Sequence, residues 1–137
     1  MVEAVRETVR GDGYALGSIE GMGSGPGFRK VRRELEVTAF GANVLVLPEG
    51  YDAGAHYHDE QEELYLVLQG KIEFTFGEDE SDRFTLEPGG LARVDPATVR
   101  SFRNVSGSED AVYLCVGGAG GYVGRDGMMP EGETRGR

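Results

Sequence analysis

Gly50-Tyr51-Asp52-Ala53-Gly54-Ala55-His56-Tyr57-His58-Asp59-Glu60-Gln61-Glu62-Glu63-Leu64-Tyr65-Leu66-Val67-Leu68-Gln69-Gly70 decides the reading of this chain. It begins at the turn Pro48-Glu49-Gly50 and holds both histidines of the sequence, one residue apart. In an extended segment, positions two apart project to the same side, so both imidazoles can reach one point. Glu63 adds a carboxylate where the mostly apolar run to Gln69 begins, a run that Gly70 closes and that reads as a strand. Two neutral imidazoles and one carboxylate suit a first-row divalent ion such as Fe, Mn, Ni, Co or Zn, and leave positions open for water, substrate or oxygen. His56, His58 and Glu63 are therefore candidate metal ligands. On its own a His-x-His pair on a polar turn is more often solvated than ligating, so the surrounding frame carries the weight. On a strand Tyr65 and Val67 share the face of Glu63, and Tyr65 is either a hydrogen-bonding group of the pocket or a packed aromatic.

Outward from this stretch the apolar residues recur at strand lengths. Glu34 to Phe40 alternates, Asn43 to Leu47 is an apolar run, and Ile72, Phe74 and Phe76 share one face with Lys71, Glu73 and Thr75 on the other. Arg83 to Leu86, Leu91 to Val94, Ser101 to Val105 and Ala111 to Val116 complete the set. Glycine supplies 23 of 137 residues, against a usual share of roughly 7%, and much of it punctuates these runs. Short strands at intervals of about 8–12 residues predict an all-β, antiparallel sandwich or barrel, with jelly rolls among the candidates. Phe74, Phe76, Phe84 and Phe102 are expected mainly in its core. Helical periodicity is weak throughout; Val2 to Arg10 has room for one turn or two. Gly21 to Gly27 resembles a phosphate-cradling loop in composition only, since no helical period follows it, and reads as a connector. Residues 1–34 are expected to give a strand and Gly-rich connector belonging to the barrel, 35–116 its core, and 117–137 a Gly-rich tail that either wraps the barrel or stays mobile.

A chain of 137 residues has room for one core, and one barrel is expected to fill it. Lys and Arg number 14 and Asp and Glu 24, so the formal charge is 14 − 24 = −10, the wrong sign for a nucleic-acid backbone or an anionic membrane surface. Apolar runs are far shorter than the roughly 20 residues of a membrane helix. Val2 to Arg10 carries four charges where a signal segment would be apolar. The lone Cys115 forms no internal disulfide and lies in an apolar run, so it reads as a core thiol in a reducing compartment, and a cytoplasmic protein is expected.

From Gly50, five residues lead to His56, one separates it from His58, four lead to Glu63 and six more to Gly70. This spacing resembles the first motif of the cupin family, and the interval to Gly70 selects Glu63 over Glu62. The second motif of that family matches Gly89 and Asn104, but Asp95 stands at its proline, Ala97 at its second glycine, and Arg100 at the histidine that is the family's fourth metal ligand. The resemblance covers about Leu35 to Val116 and implies a jelly-roll β-barrel with the metal in its cavity. It also implies one of two function classes: a metal-dependent enzyme of dioxygenase, isomerase or decarboxylase type acting on a small anionic, oxygen-bearing substrate, or a barrel that binds a small ligand without turnover.

A guanidinium has no lone pair for a metal, and three readings of Arg100 stay open. It swings aside and clamps an anionic substrate; it pairs with Glu63 and replaces the ion's charge; or it points out of the barrel. Arg100 and Tyr65 are thus the candidate substrate-binding residues. Cupins commonly pair through sheet edges, and an apolar outer face at Leu64, Leu66 and Leu68 gains from being covered, so a homodimer is expected.

Overall fold

The computed structural model describes residues 4–130. Twelve short strands follow one another: β1 (Val9–Gly11), β2 (Tyr14–Leu16), β3 (Gly27–Arg29), β4 (Gly41–Leu47), β5 (Tyr57–His58), β6 (Glu62–Gln69), β7 (Ile72–Phe76), β8 (Asp82–Leu86), β9 (Leu91–Val94), β10 (Arg100–Asn104), β11 (Ala111–Gly118) and β12 (Gly127–Met128). A 3-10 turn at Glu20–Met22 and one short helix, α1 (Val31–Leu35), interrupt them. Five strands form one antiparallel sheet in the order β3-β4-β11-β6-β9, three form a second in the order β10-β7-β8, and β12 pairs with β5. The fold is all-β, an antiparallel jelly roll.

Period-two alternation explains why these segments are strands and where the core lies. Along β11 buried and half-buried residues alternate without exception, and on β6 Glu63, Tyr65 and Val67 turn inward while Leu64 and Leu68 are exposed. Phe102 of β10 anchors the interior, with its ring centroid 4.8 Å from those of both Tyr65 and Phe74 and 5.2 Å from that of Tyr113. Burying aromatic rings of this size dominates the energetics of a small core. Asn104 closes one end: its amide nitrogen donates to the carbonyls of Leu47 and Glu109, and its oxygen accepts from the Ser106 N–H. Gly70 makes the turn from β6 to β7 at φ 76°, a conformation that costs glycine nothing. A Cβ there would lie 2.6 Å from Ser106 Oγ.

Three local expectations are corrected. Glu34 to Phe40 is not a strand: α1 ends at Leu35, Glu36 takes the left-handed conformation at φ 56°, and the Val37 N–H returns to the Arg32 carbonyl at 2.9 Å. A helix C-cap of this kind overrides three weakly alternating apolar residues. Within Val2 to Arg10, the described residues contain no helical turn, and Val9 and Arg10 open the β1–β2 hairpin. Phe84 pairs across from Phe74, yet β8 is the edge of the smaller sheet and leaves Phe84 59% exposed, outside the core. Of the tail, Gly127–Met128 pairs antiparallel with Tyr57–His58, and residues 131–137 lie outside the described residues. Among the described residues no helix is long and apolar enough to cross a membrane.

Candidate metal centre

β5 and the residue before it are held from two sides. His56 exchanges main-chain hydrogen bonds with Arg100, the His58 N–H donates to the Pro96 carbonyl at 2.8 Å, and on the other side Tyr57 and His58 pair with Met128 and Gly127. With its backbone so fixed, the two imidazoles enter the barrel next to the first inward residue of β6, Glu63. All three side chains are buried, and one donor atom from each lies within 4.8 Å of the others. His58 Nε2 is 2.9 Å and His56 Nε2 3.9 Å from Glu63 Oε1. Glu62 is exposed on the opposite face, where it meets Arg93 at 3.9 Å.

The carboxylate of Glu63 is the hub. The Tyr65 hydroxyl donates to Oε1, while the Gln61 amide at 3.3 Å and the Cys115 thiol at 3.1 Å donate to Oε2. Burial pushes the Tyr65 hydroxyl well above its ordinary range, and the neighbouring Cys115 and Glu63 push it the same way. Tyr65 therefore keeps its proton and acts as a donor. Its place beside Glu63 combines both sequence readings, a packed aromatic with a hydrogen-bonding tip.

Arg100 is fully buried, with 0% exposure, so the reading that points it into solvent is set aside. Its guanidinium donates to the carbonyl of Asp95 at 3.1 Å and, at longer range, to those of Pro96 and Val94. The side chain thus ties down the loop that holds His58 from behind.

Asp126 carries no sequence signal, lying in a Gly-rich tail far from the motif. Its buried carboxylate accepts the backbone N–H groups of Asp59, Glu60 and Gln61 at 2.7–3.1 Å, an anion cradle that shapes the loop between the histidines and Glu63. Asp126 Oδ2 is also 3.7 Å from His58 Nδ1, while the Gln61 amide nitrogen is 3.0 Å from the same ring atom.

The residues fit a divalent ion. His58 Nε2 is buried without a hydrogen-bond partner although it lies close to Glu63 Oε1, as expected where lone pairs converge on a shared point. Two imidazole nitrogens and a carboxylate oxygen are the donor set of an open transition-metal site. His58 Nδ1 faces away from Glu63, toward the Gln61 amide nitrogen at 3.0 Å and the Asp126 carboxylate at 3.7 Å, the groups that hold the ring in place. Two cavities flank the cluster. One, of about 350 Å³, reaches Glu63, Gln61 and Cys115; the other, of about 310 Å³, reaches His56 between Phe28, Leu45, Leu47 and Tyr113.

A family profile described as "Cupin domain" matches residues 43–117, more than half of the chain. None of the curated proteins matches in sequence. Among solved structures, a cupin protein from Bacteroides fragilis aligns with a TM-score of 0.63 at 24% identity, over 77% of this chain and 83% of that one. The cupin domain of Schizosaccharomyces pombe Cnp3 aligns with a TM-score of 0.54 at 22% identity, over 59% of this chain and 56% of that one. A protein from Acidithiobacillus ferrooxidans, named provisionally as a sugar phosphate isomerase, aligns with a TM-score of 0.58 at 25% identity, over 66% of this chain and 56% of that one. The chain thus spans little more than half the length of the last two. The profile match runs from β4 to the end of β11 and includes His56, His58, Glu63 and Arg100, and the chain belongs to the cupin family.

Proposed function

We propose that this protein is a metal-dependent enzyme of a dioxygenase, isomerase or decarboxylase type, in which His56, His58 and Glu63 hold one divalent transition-metal ion and a small anionic, oxygen-bearing substrate takes the open positions. The observation that carries this reading is the buried convergence of the three donor atoms beside two cavities of ligand size. A bound ion of this class polarises substrate oxygens and stabilises developing negative charge.

The chain's own residues do the rest. Tyr65 and Gln61 orient the Glu63 carboxylate by hydrogen bonds to its two oxygens. Asp126 sets the loop that carries Gln61, and Arg100 sets the loop behind His58. The Tyr65 hydroxyl, protonated across the physiological range, is the nearest donor to Glu63 and acts through that carboxylate. Arg100 acts on substrate, in this reading, through the field of its buried charge.

A second reading is a metal-free ligand-binding barrel. It is favoured by one observation: Glu63 already has Tyr65, Gln61, Cys115 and His58 around its two oxygens. Elemental analysis of the untagged protein, followed by turnover assays with small oxo- and hydroxy-acids and separate scoring of binding, distinguishes the two. Turnover that needs the ion supports the enzyme; ligand binding without ion or turnover supports the module.

The proposal extends to a cytoplasmic homodimer. Cys115, the one cysteine of the sequence, is a thiol outside any disulfide, which supports a reducing compartment. Exposed Leu64, Leu68 and Leu91, on the outer face of the larger sheet next to its β9 edge, support pairing with a second copy.

A further inference from the structure

The 350 Å³ cavity beside Glu63 has a rim of unusual charge for so acidic a chain. Lys30, Arg32, Arg33 and Arg125 all line it. Among the described residues, five of the six other exposed basic side chains are matched with carboxylates, Arg6 with Glu20, Arg10 with Glu36, Lys71 with Glu87, Arg83 with Glu73 and Glu80, and Arg93 with Glu62 and Asp95, and Arg103 alone is not. Among the described residues, none of the four rim cations forms an ion pair with a carboxylate. The acids that line the same cavity lie deeper and are already engaged, Asp126 by three backbone N–H groups and Glu63 by its own hydrogen bonds. Arg32 is held in place by stacking, its guanidinium carbon 3.9 Å from the centroid of the Tyr122 ring, which leaves its N–H edges free of the cost of ordering a mobile side chain. Gly41 and Gly117 line the cavity as well. A Cβ at Gly117 would lie 3.1 Å from the Glu63 side chain, so the space between the rim and the candidate ligand is kept by a missing side chain.

From this arrangement we infer an anion subsite: Lys30, Arg32, Arg33 and Arg125 bind a carboxylate or phosphate group of a small molecule whose other end reaches Glu63. The inference rests on the reading of this cavity as the substrate site, and narrows the substrate class to molecules with an anionic group at the end distal to the metal ligands. Four like charges around one opening repel one another until an anion enters, and a planar guanidinium matches either oxyanion in a two-pronged fashion.

Isothermal titration at low ionic strength tests this, with inorganic phosphate and succinate as probes, on chelator-stripped wild type and on three double variants. The expected result is saturable binding of at least one probe, about tenfold or more weaker after Arg33→Ala with Arg125→Ala, and little changed after Arg6→Ala with Arg83→Ala, which removes the same charge elsewhere. Lys30→Glu provides an independent variant expected to weaken binding in the same direction. Preference for phosphate over succinate, or the reverse, identifies the anionic group. Absence of saturable binding, or equal weakening in the control pair, overturns the inference. Binding that persists in the His56→Ala, His58→Ala variant keeps the subsite even if no metal is held. Metal-loaded protein whose anion affinity ignores Arg33 and Arg125 overturns the subsite alone.

Discussion

Arg100 and His56 face each other across a closed main-chain bridge, the Arg100 N–H donating to the His56 carbonyl at 2.8 Å and the His56 N–H to the Arg100 carbonyl at 2.9 Å. Directly opposed residues of an antiparallel pair project to the same side, so position 100 faces the barrel interior beside a candidate ligand, where the family's second motif has its histidine. A guanidinium there donates to the carbonyls of residues 94–96 instead of ligating.

Arg100→His is expected to tighten metal binding, because an imidazole restores a lone pair at the same register position. Competition against a chromophoric chelator measures it, and unchanged affinity contradicts the placement. Arg100→Ala is expected to destabilise the fold by about 3 kcal/mol, since it removes a fully buried side chain and its hydrogen bonds to the carbonyls of residues 94–96; thermal denaturation reads this.

Asp126→Ala removes the acceptor of three loop N–H groups and the carboxylate nearest His58 Nδ1. Metal affinity is expected to fall by about 10–100-fold, with Asp126→Asn intermediate because it keeps part of the cradle. A chelator titration on both variants checks the order.

Tyr65 supplies a pH signature. Its hydroxyl is held above the ordinary tyrosine value, so the folded protein retains a proton that the unfolded chain loses first. The sign follows: stability from this group is complete below pH of about 10 and falls as pH rises above it, where the unfolded state binds fewer protons. Ultraviolet titration is expected to show one tyrosine ionising only with unfolding. Tyr65→Phe abolishes that step and, by removing a hydrogen bond to a carboxylate, is expected to cost about 1.5–3 kcal/mol.

Sedimentation equilibrium is expected to give a dimer for the wild type and a monomer for Leu64→Glu with Leu91→Glu, which places charge on the exposed outer face. A wild-type monomer contradicts the pairing.

The candidate ligand cluster was legible in the sequence because its geometry is local. His56 and His58 share a side through strand periodicity, and the interval to Gly70, which resembles the cupin motif, selects Glu63, the first inward residue of β6, over Glu62. Most strands follow from the same alternation. The helix Val31–Leu35 was not legible because its signal is one turn long and its cap, a left-handed Glu36, lacks the usual glycine. Asp126 was hidden for a different reason: its partners lie 65 to 67 residues away and are backbone N–H groups, which have no residue type to read. The rim cations were dispersed over residues 30 to 125 and met only through the pairing of β3 with β4 and the return of the tail to β5. Long-range closure carries no local pattern.

The central claim is that His56, His58 and Glu63 hold an ion, and metal content measures it most directly. Elemental analysis of the purified, untagged protein is predicted to find close to one transition-metal ion per chain, lost in a His56→Ala, His58→Ala variant that keeps its fold. No ion in the wild type after growth and dialysis with Fe, Mn, Ni, Co and Zn, or an ion retained by the double variant, contradicts it.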